Sequence, residues 1–280
     1  MTARFQWDTT RTLVMGVLNV TPDSFSDGGR YLDVEGAVAH ARAMAAAGAD
    51  IIDVGGESTR PGAEPVSAEE ELRRAVPVIQ RLPDLLVSID TTKAVVAEKA
   101  LAAGARIVND ISALRFDERM VEVVRDHGAG VVLMHMQGTP RTMQHDPRYD
   151  DVVREVHEFL AERIGFAEAH GVNKRQIAVD PGIGFGKTAE QNLELLAQLE
   201  RFRDLGCPMV IGASRKSFIG KILGREAPDR LPGSLAATVW ATLGGANVAR
   251  VHDVAETVDV VRMIEAIQQH LPRSDRGRST

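Results

Sequence analysis

Short apolar runs alternate with helical patterns along almost the whole chain. Eight runs rich in valine and isoleucine occur at residues 13–19, 50–56, 85–90, 106–110, 130–135, 176–180, 208–214 and 247–253. Runs of this length are typical of strands that are buried on both faces of a parallel sheet. Eight such strands with helices between them predict a single (β/α)8 barrel, the TIM barrel.

The connections between these elements carry matching signals. A glycine follows a helical segment and precedes a strand by one or two residues at five places: Gly48, Gly104, Gly128, Gly206 and Gly245. This order is typical of the αβ turns of a βαβ array. Ser67 with Glu70 predicts a capping box at a helix start. The segment 188–204 predicts one helix, whose apolar stripe packs into the core at Leu193, Leu196, Leu199 and Phe202.

Two nucleotide-binding patterns are close to this sequence but do not match it. A doubly wound sheet would place G-x-G-x-x-G after the first strand, where the chain has "NVTPDSFSDGG". The stretch "IAVDPGIGFGKT", residues 177–188, ends like a P-loop, but Pro181 stands where the first glycine is required. Proline also removes a backbone donor. We therefore interpret this stretch as the sixth strand with a glycine-rich βα loop.

The length supports one domain. The chain has 280 residues, which is close to the ~250 residues of a usual TIM barrel. We predict a single barrel domain over 1–280, with an N-terminal extension at 1–12 and a flexible tail at 271–280.

Composition excludes several classes of partner. The formal net charge is −6, which argues against a nucleic-acid or an anionic-membrane partner. A single cysteine, Cys207, excludes an internal disulfide and favours a reducing compartment. The first residues lack the apolar run of a signal peptide, and no stretch approaches ~18 apolar residues. We predict a cytoplasmic protein.

Polar residues stand at the carboxyl ends of all eight predicted strands. They are Asn19, Asp53, Glu57, Asp90, Asn109, Asp110, His135, Asp180, Ser214, Arg215, Lys216, Arg250 and His252. The carboxyl ends of the strands form the active-site face of a TIM barrel. A purely structural barrel would not need so many polar groups at one end, because each must be solvated or hydrogen-bonded there.

These residues suit a polar heterocycle and an anion. Asp90 and Asp180, together with Asn109, can accept and donate hydrogen bonds along the N–H-rich edge of a pterin or a purine. Lys216 and Arg250 suit a phosphate or a carboxylate. Arg250 is alternatively suited to lie over an aromatic ring.

Further residues extend the anion site. Arg60 and His252 add to the basic set, and the carbonyl oxygen of Asn19 suits Mg²⁺ held together with phosphate oxygens. The loops 20–32 and 55–66 are longer than the usual ~2–6 residues, which is typical of lids. We expect Asp23, Ser24, Phe25 and Asp27 to close over a substrate.

Other functions remain less well supported by the residues. A metal-dependent hydrolase would place His-x-His in the first strand, which has none. A Schiff-base aldolase stays open because Lys187 and Lys216 lie just beyond strands, although a lysine there more often binds phosphate. His135 has no spaced partner ligand, so we expect it to form a hydrogen bond rather than bind a metal. Cys207 lies at the opposite end of the barrel from the site.

Eight motifs together resemble one family. They are "MGVLNVTPDSFSDGG", "DVGGESTRPGA", "SIDT", "VNDIS", "LMHMQGTP", "DPGIGFGK", "GASRKSF" and "RVHDV". In order and spacing they resemble the bacterial dihydropteroate synthases from about residue 13 to residue 265. The resemblance implies a TIM-barrel transferase of folate synthesis, which joins 7,8-dihydropterin-6-ylmethyl diphosphate to 4-aminobenzoate with loss of diphosphate.

The resemblance also implies roles for individual residues. Asp90, Asn109, Asp180, Lys216 and Arg250 match the pterin-binding positions, with Arg250 stacked on the pterin. Asn19, Arg60, Arg250 and His252 match the diphosphate positions, with Asn19 at Mg²⁺. Phe25, Thr59, Pro61 and Ser217 match the aminobenzoate pocket, which is also the family's sulfonamide site. The catalytic set would be Asp90, Asp180, Lys216 and Arg250, and the family is commonly homodimeric.

Two related alternatives share the barrel. Pterin-binding methyltransferases would lack "NVTPDSFSDGG" and "SRKSF", and both motifs are present. A non-catalytic, pterin-binding paralogue would have lost Lys216, Arg250 or the acids of the first loop, and none of these is lost. The residues contain no evident nucleophile–base pair, which favours a dissociative displacement of diphosphate with Asp180 stabilising the pterin cation.

Overall fold

The strands close into a barrel. The computed structural model describes residues 4–21, 30–59 and 62–270, with the backbone alone at 30–33. Its strands are β1 (Leu13–Asn19), β2 (Ile51–Gly55), β3 (Val87–Asp90), β4 (Ile107–Asp110), β5 (Gly130–Met134), β6 (Ile177–Asp180), β7 (Val210–Ile211) and β8 (Val248–Val251). All pairings are parallel, in the order β6-β5-β4-β3-β2-β1-β8-β7. A bridge between Val179 and Met209 joins the two ends of this order, so the predicted (β/α)8 barrel is confirmed.

Helices fill the intervals between the strands. They are α1 (Arg30–Ala46), α2 (Ala68–Gln80), α3 (Ala94–Ala102), α4 (Met120–His127), α5 (Val152–Ala169), α6 (Ala189–Ala197), α7 (Ser217–Leu223), α8 (Leu231–Leu243) and α9 (Val254–Gln268). None of these helices combines the length and the apolar character that crossing a membrane requires.

The predicted turn signals are mostly confirmed. All five glycines that precede strands have positive φ, between 61° and 123°, where glycine avoids the strain of a Cβ. Ser67 caps α2 by accepting a hydrogen bond from the N–H of Glu70 at 3.2 Å. The reciprocal half of the predicted capping box is wrong, because the Glu70 carboxylate pairs with Arg73 and Arg74 instead.

The prediction for residues 188–204 needs a correction. The α-helix ends at Ala197, and a 3₁₀ segment continues from Leu199 to Leu205. Leu196, Leu199 and Phe202 are buried as predicted, whereas Leu193 is 46% exposed. The inner position is taken by Asn192, which accepts from the N–H of Gly184 at 2.6 Å. The inward-facing position on α6 that the apolar pattern predicted for Leu193 is therefore occupied by Asn192, which binds the loop after β6.

The barrel interior has an apolar floor beneath a polar layer. The floor consists of Leu13, Met15, Ile51, Ile107, Val132, Ala178, Val210 and Val248, with Trp7 packed against it. In a strand, residues two apart point to the same face. Asp53, Asn109, Asp180 and Arg250 each follow a floor residue by two positions, so the strand period places all four inside the barrel above the floor.

The N-terminal segment covers the amino-terminal end of the barrel. Trp7 Nε1 donates to the carbonyl oxygen of Gln176 at 2.9 Å, and the rings of Phe5 and Trp7 are in edge contact. The backbone N–H groups of Phe5 and Trp7 donate to carbonyl oxygens just before β5 and β6, respectively. The site is therefore confined to the opposite, carboxyl end of the strands.

Candidate active site

A buried carboxylate, Asp53, joins two of the predicted site residues. Its Oδ2 accepts hydrogen bonds from Arg250 Nε at 2.7 Å and from Asn109 Nδ2 at 3.0 Å. Arg250 Nη2 also donates to Asp90 Oδ2 at 2.7 Å. The guanidinium is therefore held at its edge by two carboxylates, and these in-plane bonds leave its flat faces free.

Burial alters the ionisation of Asp90. Removal from water, opposed by the charge of Arg250 and reinforced by that of Asp53, raises the pKa of Asp90 to about 7. Its Oδ1 is buried and has no hydrogen-bond partner among the described residues. A buried acceptor without a donor costs free energy. Asp90 is thus suited to accept an N–H from a ligand, and its charge near neutral pH depends on what is bound.

Asp180 and Lys216 form the second part of the site. Asp180 Oδ1 accepts from the N–H of Gly182 at 2.7 Å. Burial raises the pKa of Asp180, against the effects of the Gly182 N–H and the charge of Lys216. Lys216 Nζ lies 3.9 Å from the centre of the Phe185 ring, a cation–π contact. Burial, together with the like charge of Arg250, lowers the pKa of Lys216 to about 8.

The loop between Asp180 and Lys187 needs its glycines. Gly182, Gly184 and Gly186 have φ of 72°, 81° and 60°. A Cβ on Gly182 would overlap the carbonyl oxygen of His135, and one on Gly184 would lie 2.8 Å from Lys216 Cδ. The loop therefore packs flat between the end of β5 and Lys216.

The near-match to a P-loop has a different structure. Lys187 is buried, and its Nζ lies 3.0 Å from His135 Nδ1 and 3.0 Å from the carbonyl oxygens of Gly182 and Phe185. A P-loop lysine reaches the phosphates, whereas this lysine is turned beneath its own loop. The same contact confirms the hydrogen bond predicted for His135.

Asn19 lies at the mouth of the site, where Mg²⁺ was predicted. A Cβ on Gly55 would lie 3.8 Å from Asn19 Oδ1 and 3.7 Å from Asp90 Cβ, so these two side chains flank Gly55. The described residues contain no group of three His, Cys, Asp or Glu side chains that would hold a metal. Asn19 offers one carbonyl oxygen, the type of ligand that Mg²⁺ prefers, and Mg²⁺ at this position stays a prediction.

His252 stands beside the cations. Its Nδ1 lies 3.1 Å from Ser214 Oγ. Burial, and then the charge of Arg250, lower the pKa of His252 to about 4. The imidazole is therefore neutral at pH 7, and bound anionic charge would raise its pKa again.

The remaining predicted residues lie in the loops. Thr59 is half-buried after β2, and Ser217 is exposed as the first residue of α7. The other loop residues lie outside the described part of the chain: Asp23, Ser24, Phe25, Asp27, Arg60 and Pro61. The predicted aminobenzoate pocket and loop closure therefore stay predictions.

Sequence analysis placed Asp53 among the polar strand residues but gave it no role in the site. The structure makes it the common partner of Asn109 and Arg250. A carboxylate inside the otherwise apolar run "IIDVG" is the available signal, because a buried charge must be paired.

Comparison with known proteins identifies the family of this chain. The sequence matches the family described as "Pterin binding enzyme" over residues 15–252. The dihydropteroate synthase of Synechocystis sp. is 48% identical over 267 residues, which covers 94% of this chain and 92% of the relative.

Solved structures are equally similar. Dihydropteroate synthase from Xanthomonas albilineans with 4-aminobenzoic acid has a TM-score of 0.89 and 51% identity, covering 94% of this chain and 95% of that one. The same organism's enzyme in complex with 7,8-dihydropteroate has a TM-score of 0.86 and 47% identity, covering 95% and 97%. The chain belongs to the dihydropteroate synthase family of pterin binding enzymes.

Proposed function

We propose a role for each polar residue of the barrel interior in the dihydropteroate synthase reaction. In this reaction the transferase joins 7,8-dihydropterin-6-ylmethyl diphosphate to 4-aminobenzoate and releases diphosphate. The observation that carries the proposal is the pairing of buried carboxylates with partly buried cations above the barrel floor. Arg250 is bonded to Asp53 and Asp90, and Lys216 lies within electrostatic reach of Asp180.

The pterin is recognised by two carboxylates and an amide. Asp90 Oδ1 lacks a donor among the described residues, so an N–H of the pterin would satisfy it. The amide nitrogen of Asn109 is engaged with Asp53, which leaves its carbonyl oxygen for the ligand. Asp180 accepts a further N–H and carries negative charge close to the ring.

Arg250 lies flat on the pterin. Its edge bonds to Asp53 and Asp90 fix the guanidinium plane. A guanidinium fixed in this way can stack on an aromatic ring without losing its charge-assisted hydrogen bonds. The same positive charge lies beside the diphosphate that departs.

The diphosphate is held at the mouth of the barrel. We assign this role to Asn19, Arg60, Arg250 and His252. We assign His252 the tautomer in which Nδ1 accepts from the Ser214 hydroxyl, so that Nε2 carries the proton and donates to a phosphate oxygen. Mg²⁺ bound at Asn19 would supply a Lewis acid that neutralises the charge of the departing diphosphate.

Bond breaking precedes attack. Once the C–O bond to diphosphate breaks, positive charge on the pterin methylene spreads into the ring, where the carboxylate of Asp180 stabilises it. The amine nitrogen of 4-aminobenzoate then attacks the methylene to form the C–N bond, and its proton passes to the released diphosphate. Phe25, Thr59, Pro61 and Ser217 frame the aminobenzoate, and the loops with Asp23, Ser24 and Asp27 exclude water.

Diphosphate release tests these roles. With Mg²⁺ and both substrates we expect dihydropteroate, and we expect Asp180→Asn and Lys216→Ala each to lower kcat/KM by about 100-fold. Lys221→Ala, which removes an exposed lysine from α7, serves as the control and should leave the rate unchanged. Tight pterin binding without product under any condition would indicate the non-catalytic paralogue instead.

Pre-steady-state measurement tests the order of the steps. If the cation forms first, diphosphate is formed slowly even without 4-aminobenzoate, because breaking the C–O bond does not require the amine. A strict requirement for 4-aminobenzoate would contradict the dissociative order.

An exposed apolar surface supports a homodimer. The neighbouring helices α6 to α9 carry large apolar side chains that are 46–62% exposed: Leu193, Ile222, Leu223, Trp240, Leu243, Met263 and Ile267. An apolar surface of this extent, bordered by polar residues, is typical of a protein interface. A second copy of the chain is the occupant we propose. The cytoplasmic location and the lack of a nucleic-acid partner stay predictions.

A further inference from the structure

Lys187 is a buried cation that the roles above do not use. Its side chain lies beneath the loop that follows β6, and only 3% of the residue is exposed. Burial, together with the like charge of Lys216 and against that of Asp180, lowers the pKa of Lys187 to about 7. A buried ammonium group is stable only where its hydrogens find acceptors.

The acceptors around Lys187 match an ammonium group in number. An ammonium carries three hydrogens, and Nζ lies 3.0 Å from each of three acceptors: Gly182 O, Phe185 O and His135 Nδ1. Burial and the charge of Lys187 hold the pKa of His135 well below its ordinary value. The imidazole is therefore neutral, and its Nδ1 can accept the bond.

Each of the three acceptor residues also contacts Asp180 or Lys216, which we assign to the pterin site. The N–H of Gly182 donates to Asp180 Oδ1, and the N–H of His135 donates to the carbonyl oxygen of Asp180 at 2.9 Å. The ring of Phe185 carries Lys216 Nζ on its face. The ammonium group of Lys187 is thus bonded to His135, which follows β5, and to two carbonyl oxygens of the loop that contacts Asp180 and Lys216.

We propose that Lys187 is a positioning residue, whose ammonium clamps the β6 loop onto the end of β5 and thereby sets the places of Asp180 and, through the Phe185 ring, of Lys216. This inference rests on the pterin-binding roles proposed above for Asp180 and Lys216. Lys187 itself contacts neither substrate.

The clamp also has an electrostatic consequence. The charges that lower the pKa of Asp180 are those of Lys216, Arg250 and Lys187. Neutral His135 adds no charge to this set. Removing the charge of Lys187 therefore raises the pKa of Asp180 further, and the acid limb of the pH profile moves to higher pH.

Lys187→Met tests the proposal, because methionine keeps an unbranched side chain without the charge. We expect the KM for the pterin diphosphate to rise and kcat/KM for it to fall by about 10- to 100-fold, since small misplacements of site groups have effects of this size. The KM for 4-aminobenzoate should change less than that for the pterin diphosphate. The acid limb of kcat/KM should move upward in pH, which a loss of stability alone would not produce. Lys99→Met removes an exposed lysine from α3 and should behave like the wild type.

His135→Leu gives a second, independent readout by removing one acceptor. It should raise the KM for the pterin diphosphate in the same way, and the double variant should be less than additive because both changes break one contact. If Lys187→Met does not fold, the His135→Leu result decides alone. A lowered melting temperature with unchanged pterin KM and unchanged pH profile in these variants would overturn the proposal.

Lys216→Ala, measured in parallel, separates this inference from the proposed function. If Lys216→Ala weakens pterin binding and Lys187→Met does not, the clamp is wrong and the site roles stand. If Lys216→Ala leaves pterin binding unchanged, the site roles fail, and the clamp inference fails with them.

Discussion

Asp53 Oδ2 lies 2.7 Å from Arg250 Nε, and the aspartate is fully shielded from solvent. The second carboxylate on the guanidinium is Asp90, and both aspartates keep a buried Oδ1 without a partner among the described residues. They differ in depth, because Asp90 pairs in register with Gly55, two residues beyond Asp53 toward the carboxyl end of the strands. We therefore expect Asp53 to hold the arginine from below and Asp90 to offer its free acceptor to the pterin.

Replacing Asp53 by asparagine should weaken pterin binding. The neutral amide leaves the partly buried guanidinium with one carboxylate, so we expect the free energy of unfolding to fall by about 3 kcal/mol. We also expect a raised KM for the pterin diphosphate, measured at saturating 4-aminobenzoate. Ser88→Ala is the matched control, because Ser88 pairs with Asp53 in register and its buried Oγ has no partner among the described residues. Equal effects of the two substitutions would contradict a specific role for Asp53.

The stability of the folded protein should depend on pH through Asp90. Its pKa is raised from 3.8 to about 7, so the folded state binds the proton more tightly than the unfolded state. The corresponding stability is present below pH 3.8 and is lost as the pH rises through about 7. Asp90→Asn imitates the neutral form. Its melting temperature relative to the wild type should therefore be more favourable at pH 8 than at pH 5, and a difference that does not change with pH would exclude the raised pKa.

The alkaline limit of activity should belong to Lys216. Its pKa is lowered to about 8, so the charged form is lost above that pH and kcat/KM for the pterin diphosphate should fall there. Lys216→Arg keeps its charge at high pH, and the alkaline limb should disappear or move upward even if activity at pH 7 is reduced. Lys221→Arg should keep the wild-type limb. An unchanged limb in Lys216→Arg would assign it instead to Lys187, whose pKa is lowered to about 7.

Two glycine-to-alanine substitutions separate steric overlap from backbone strain. Gly182 and Gly224 have similar φ, 72° and 63°, so alanine is strained at both positions. Only at Gly182 would the new Cβ overlap the carbonyl oxygen of His135, because the space around Gly224 is open. Gly224→Ala should cost about 1 kcal/mol of stability, and Gly182→Ala should cost more and also impair pterin binding. Denaturant unfolding of both variants measures the difference, and equal losses would mean that the loop moves freely away from β5.

The proposed dimer places Leu243 in the interface. Leu243 is 55% exposed on α8, so Leu243→Glu buries a charge there and should shift the protein toward the monomer in light scattering. Phe116→Glu changes a comparably exposed residue, 45%, in the loop after β4, and should leave the mass unchanged. A monomeric wild type would contradict the proposal directly.

The local pattern was sufficient for the architecture. Apolar runs predicted all eight strands, and for β1 the predicted bounds 13–19 agree with the structure. The prediction was least accurate for β7, which was expected over 208–214, whereas the strand spans only Val210–Ile211 with a single bridge at Met209. Pro208 precedes the bridged residue Met209. Because proline has no N–H, it cannot donate a hydrogen bond to a neighbouring strand.

The sequence alone determined that polar residues stand at the carboxyl ends of the strands, and the two-residue period of a strand puts Asp53, Asn109, Asp180 and Arg250 on the same face as the apolar residues two positions before them. Only the tertiary structure decided that this face points into the barrel and which of these residues are bonded to one another. Asp53 and Arg250 are 197 residues apart, and Lys187 is 52 residues from His135. Pairings over such distances leave no periodic signal in the chain, since barrel closure rather than local propensity brings the side chains together.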